Sequence, residues 1–114
     1  MTKRPKIIAV DFDGTLFTDH YPGVGRPILE TIWRLEQEQQ AGAKIILWTN
    51  RSDGPLQLAI EACNEIGIQF DAINENLPEI IEYFGCNPRK VFANEYWDDQ
   101  TIHLSHIQHP DHRK

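Results

Sequence analysis

No apolar run in this chain approaches the roughly 18 residues that a membrane-spanning helix needs. Positive charge is also scarce: 11 lysines and arginines stand against 17 aspartates and glutamates, for a formal charge of −6. That balance disfavours a general nucleic-acid-binding surface, because displacing counterions from phosphates takes a basic footprint. Of cysteine there are two residues, Cys63 and Cys86, with neither a CxxC spacing nor a secreted context. They read as reduced thiols rather than a bridge. Internal repeats and low-complexity blocks are absent, and the opening MTKRPKIIAV runs into a strand without a cleavage-type segment, so a cytoplasmic location is expected. With 114 residues, 40% hydrophobic and 25% charged, one compact domain with a modest core is expected.

What is present alternates. Lys6 to Val10 (KIIAV) and Lys44 to Trp48 (KIILW) are β-branched and aliphatic without a period of two, as strands covered on both faces should be. Between them, Ile28, Ile32 and Leu35 recur at helical spacing, with Pro27 suited to the first helical residue and the AGA at 41 to 43 as the stop. Ser52 or Asp53 can cap a second helix whose stripe is Leu56, Ile60 and Cys63 and whose stop is Gly67. Ile68 to Ile73 predicts a short strand. Asn76 with Glu79 resembles a capping box for a brief helix ending at Gly85, and Lys90 to Ala93 predicts the last strand. The β-α-β-α-β-α-β order points to a doubly wound, Rossmann-like parallel sheet with helices on both faces. The core is expected over residues 1–102, followed by a polar, histidine-containing tail over 103–114.

Four carboxylates stand out. Asp11 and Asp13 follow the first strand, in DFDGT, and Asp98 and Asp99 follow the last, in NEYWDD. Parallel strands deliver their C-terminal ends to one crevice. Two like charges about 4 Å apart repel by roughly 4 kcal/mol even at an effective dielectric of 20, so such a cluster needs a cation or a proton. Oxygen-only ligands suit a hard divalent ion, and Mg²⁺ typically takes one or two carboxylates, several waters and a substrate phosphate oxygen.

DFDGT, a threonine ending the next core strand (Thr49), and a lysine (Lys90) shortly before an acidic pair, taken in that order, resemble the haloacid dehalogenase-like superfamily of aspartate-nucleophile phosphohydrolases. The resemblance covers roughly residues 6 to 102. It implies that Asp11 is the nucleophile and a metal ligand, and that Asp13 is the general acid/base with its backbone carbonyl on the metal. It further implies that Gly14 turns the chain beside a phosphate, that Thr49 holds a phosphoryl oxygen, and that Lys90 neutralises charge on Asp11 and the transferring group. Asp98 takes the role of fourth-motif ligand, and Asp99 that of a water-mediated ligand or a holder of its neighbour. Asn50 and Arg51, beside Thr49, are further substrate-binding candidates. Two readings of Arg51 stand open, phosphate binding or capping of the adjacent helix.

Bland readings stand beside these. An isolated Asp-Gly is usually a turn, and Trp48 and Trp97 read as packed flanking residues. His103, His106, His109 and His112 recur every third residue, a spacing that does not keep one helical face and that Pro110 interrupts. His20 reads as a solvated loop residue. Neither interval in which the resembled superfamily carries a cap domain has room for one here, so the site is expected to be open, with Thr18 to Gly25 as a flap or a lid borrowed from a second copy. The expected function is a Mg²⁺-dependent phosphomonoester phosphatase acting through an aspartyl phosphate on a phosphorylated substrate of unknown identity. The alternatives are a catalytically weak binding module on the same fold and a phosphatase of nucleic-acid ends. A receiver-like module is disfavoured, since Thr49-Asn50-Arg51 offers no aspartate at the central strand tip.

Overall fold

The computed structural model describes residues 4–98 and, for the backbone, a strand at 101–104. Five strands form one sheet: β1 (Ile7–Val10), β2 (Lys44–Leu47), β3 (Ala72–Ile73), β4 (Glu95–Asp98) and β5 (Thr101–Leu104), in spatial order β3-β2-β1-β4-β5. Three helices connect them: α1 (Leu29–Gln40), α2 (Asp53–Glu65) and α3 (Pro78–Phe84). The first four strands are parallel, so the doubly wound α/β sheet predicted from the alternation is the fold. β5 pairs antiparallel with β4, opposing Tyr96 to His103 and Asp98 to Thr101. His103 and Leu104 thus belong to the sheet rather than to a tail, and residues 105–114 lie outside the described set.

Side-chain parity divides the core. Ile8, Val10, Ile45, Leu47 and Trp97 face α1 and α2, joining Ile32, Leu35, Ala59 and Cys63. Ile7, Ala9 and Ile46 face the other way, toward Leu77 and Ile80 of the α3 segment and toward Val91 and Ala93. Two helices of 12 and 13 residues cover one face, whereas a single helix of 7 residues covers the other. The second face is therefore incompletely roofed. Burial of Cys63 pushes its thiol up to about 12, which leaves it an inert packing group.

Local predictions failed where a backbone group found a tertiary partner. α1 begins at Leu29 rather than Pro27, because Phe17 bridges to Pro27 and the Ile28 N–H donates to the Leu16 carbonyl. The strand expected at Ile68 to Ile73 shrinks to its last two residues. The strand expected at Lys90 to Ala93 is displaced to Glu95–Asp98, with Asn94 forming the join: its N–H donates to the Ile7 carbonyl and its Oδ1 accepts from the Ile7 N–H.

Asn76 does not cap α3, whose N-cap is Leu77. It is buried and pins the following loop instead: Nδ2 donates to Asn87 Oδ1 at 2.9 Å and to the Pro88 carbonyl at 3.1 Å, while Oδ1 accepts from the Phe92 N–H at 2.7 Å. That loop carries Arg89 and Lys90. Asn76→Ala takes the partner from the half-buried Phe92 N–H and from two acceptors, Asn87 Oδ1 and the Pro88 carbonyl, and is expected to cost about 2 kcal/mol, read as a lower urea midpoint. An unchanged midpoint would show that water replaces the amide.

Candidate functional site

The site sits where the sheet reverses direction. The chain runs outward from β1 through β2 to β3, then returns to place β4 on the other side of β1, and ligands in such folds bind beyond the strand tips at that switch. Val10 is in register with Trp97 and the Asp11 N–H donates to the Trp97 carbonyl at 2.9 Å, so Asp11 and Asp98 leave neighbouring strands side by side. Their carboxylates are near enough for the charge of Asp98 to act on Asp11. Burial, the largest cause, pushes the Asp11 carboxyl up to about 6; the Phe12 N–H, donated to Asp11 Oδ1 at 2.8 Å, opposes this, and the negative charge of Asp98 adds to it.

Of the four carboxylates, the described residues bring Asp11 and Asp98 together at the strand tips. Asp13 is near enough for its charge to add to the upward push on Asp11, but both its oxygens are held by Arg51: Nε donates to Asp13 Oδ2 at 2.9 Å and Nη2 to Oδ1 at 2.8 Å, a bidentate fork. Asp99 lies outside the described residues. Among those described, no group of three or more histidine, cysteine, aspartate or glutamate side chains converges as a metal cage. An adjacent pair of carboxylates with an oxygen-only donor set still fits Mg²⁺, which needs only one or two and completes its shell with water and substrate.

Arg51 answers neither sequence reading. It is only 3% exposed, and all five of its N–H donors are engaged: two on Asp13, and one each on the carbonyls of Pro22 (3.1 Å), Gly23 (2.6 Å) and Pro55 (2.9 Å). Its guanidinium also lies over the rings of Phe12 and Tyr21, at 4.8 and 5.1 Å from their centroids. No donor remains for a phosphate. The Thr18 to Gly25 segment is accordingly tied down rather than free to act as a flap, with Thr18 Oγ1 accepting from the Arg26 N–H as well. Gly25 is required there, because a Cβ would collide with the Thr18 carbonyl.

Gly14 turns the chain with φ +81° as expected, but its N–H is spent on the Phe17 carbonyl and does not face a ligand. Thr49 is half-buried at the tip of β2, its Oγ1 accepting from the Arg51 N–H at 3.1 Å and its own N–H donating to Asn74 Oδ1 at 2.8 Å. Asn50 is exposed beside it. Lys90 and Arg89 are exposed, and among the described residues neither is in an ion pair.

A cleft of about 830 Å³ joins Asp11, Asp98, Thr49, Asn50 and Lys90 with Trp48, Asn74, Arg89 and Tyr96, none of which the motifs single out as ligands. Parity was the available signal: Asp11 is two residues beyond Ala9, and Trp48 two beyond Ile46, so both emerge on the incompletely roofed face. Asn74 holds a left-handed conformation (φ +55°), which asparagine tolerates better than most residues. Asp13 and Arg51 instead line a separate hollow of about 350 Å³ with Asp19, Tyr21 and Asn50.

No helix among the described residues is long and apolar enough to cross a membrane. Searches against protein-family models and curated proteins gave no match. A solved structure of a conserved protein coded by a locus of Bacteroides thetaiotaomicron is similar, at 38% identity and a TM-score of 0.74 over 86% of this chain and 78% of that one.

Proposed function

We propose that this chain, which belongs to the same family as the conserved Bacteroides thetaiotaomicron protein, is a Mg²⁺-dependent phosphohydrolase acting on a phosphomonoester through Asp11. The observation that carries the reading is the Asp11–Asp98 pair, two carboxylates from adjacent strand tips left without a cation among the described residues while Lys90 stands across the same cleft. A bound Mg²⁺ would neutralise the pair and draw charge from the phosphoryl group. Asp11 then attacks phosphorus, the P–O bond to the leaving group breaks, and water later hydrolyses the aspartyl phosphate. Thr49 Oγ1 and Lys90 Nζ receive the phosphoryl oxygens as donors.

Proton delivery to the leaving group falls to Asp13 in this scheme. Both Asp13 oxygens are held by the guanidinium, so reaching a leaving group requires Asp13 to leave the Arg51 fork. That same fork favours a second reading, a member of the fold with weak turnover that acts by binding. Hydrolysis of an aryl phosphate with Mg²⁺ and with EDTA tests the first: activity is expected only with Mg²⁺. Equal rates in both conditions would reject it, and a protein that is stabilised by Mg²⁺ and phosphate yet turns nothing over would establish the second.

A further inference from the structure

The cleft is far larger than a phosphoryl group requires and lies within the usual range for small-molecule sites. Its wall nearest the nucleophile is an indole. Val10 pairs with Leu47, and the Trp48 N–H donates to the Val10 carbonyl at 2.9 Å, so Trp48 is the cross-strand neighbour of Asp11, about 4.8 Å away along the sheet. Both side chains emerge on the α3 face. Whatever is esterified to a phosphate at Asp11 therefore meets Trp48 within one residue's reach.

Two further features give the cleft a character. Tyr96 is fixed by its hydroxyl, which donates to the Val91 carbonyl at 2.6 Å, so it adds a second rigid aromatic surface. Asn74 is anchored through Oδ1 on Thr49, which leaves its two Nδ2–H donors unengaged among the described residues. Arg89, beside Lys90, supplies a second unpaired cation where charge balance on one phosphoryl group needs only one. We infer that the cleft takes a small phosphomonoester carrying a planar aromatic ring with hydrogen-bonding edges, of which nucleoside monophosphates are the accessible probe, with the ring held on Trp48. The inference rests on the phosphohydrolase reading for its phosphoryl end, and the charge of −6 favours a free small molecule over a polymer.

The test compares kcat/KM for adenosine monophosphate with that for glycerol phosphate, in the wild type, Trp48→Ala and Trp48→Phe, beside an aryl phosphate that reports whether the protein hydrolyses esters at all. The ring-bearing substrate should be preferred by about tenfold or more, the size of one base–aromatic stack. That ratio should collapse toward unity in Trp48→Ala and recover in Trp48→Phe. Absence of a preference, or a preference indifferent to Trp48→Ala, overturns the inference while leaving the hydrolase standing. If no ester is hydrolysed, the hydrolase reading falls, and titration of indole fluorescence with adenosine monophosphate and Mg²⁺ decides: quenching that disappears in Trp48→Phe supports the ring site, and no quenching overturns it.

Discussion

Asp11→Asn is expected to abolish hydrolysis of an aryl phosphate, by at least about 10⁴-fold, while making the metal-free protein more stable. The loss follows from removing the attacking oxygen. The gain follows from the Asp11 carboxyl, which burial and Asp98 push from 3.8 up to about 6 in the folded chain. Because the folded state holds this proton more tightly than the unfolded state, stability is lost as pH rises from about 4 through about 6, and the penalty is fully present above that. At neutral pH it is on the order of 2 kcal/mol after allowing for partial exposure. Wild type and Asp11→Asn should therefore melt alike near pH 3.5 and diverge by pH 7, with Mg²⁺ restoring the wild type alone. A variant less stable than wild type at pH 7, or one that retains turnover, would remove Asp11 from the centre of the site.

Arg51→Met is expected to destabilise the fold by about 3–5 kcal/mol, a large share of a small domain's stability. The methionine fills much of the volume but leaves Asp13 charged without its partner and the carbonyls of Pro22, Gly23 and Pro55 without donors. Arg51→Lys should recover little, because an ammonium with three donors cannot fork onto one carboxylate and reach three carbonyls in three directions. Urea unfolding reads both variants. A stability loss under about 1 kcal/mol for Arg51→Met would mean that water substitutes for the guanidinium and that the clamp is incidental.

This clamp is what the motif reading lacked. In sequence, Arg51 stands beside Thr49 as any phosphate-binding cation might, and Asp13 stands two residues from the nucleophile. Nothing in that spacing reveals that the two pair with each other, 38 residues apart, on the α2 side of the sheet. The same limit applies to Asn76 and Asn94, whose side chains bond to backbone groups distant in sequence and so shift the ends of α3 and β4 from where local propensity placed them. β5 was missed for a related reason: only its antiparallel pairing with β4, a tertiary contact, defines it.

The alternation of buried runs with amphipathic helices was enough by itself to specify the parallel α/β sheet, and the acidic residues after the first and last core runs pointed to a candidate site at the strand tips. Those features depend on hydrophobic periodicity and strand polarity, both of which are local. Tertiary structure alone decided which carboxylates meet, because that depends on β4 lying beside β1 and on the face toward which each side chain turns. It joined Asp11 to Asp98, gave Asp13 to Arg51, and opened the aromatic cleft on the face that a seven-residue helix is too short to cover.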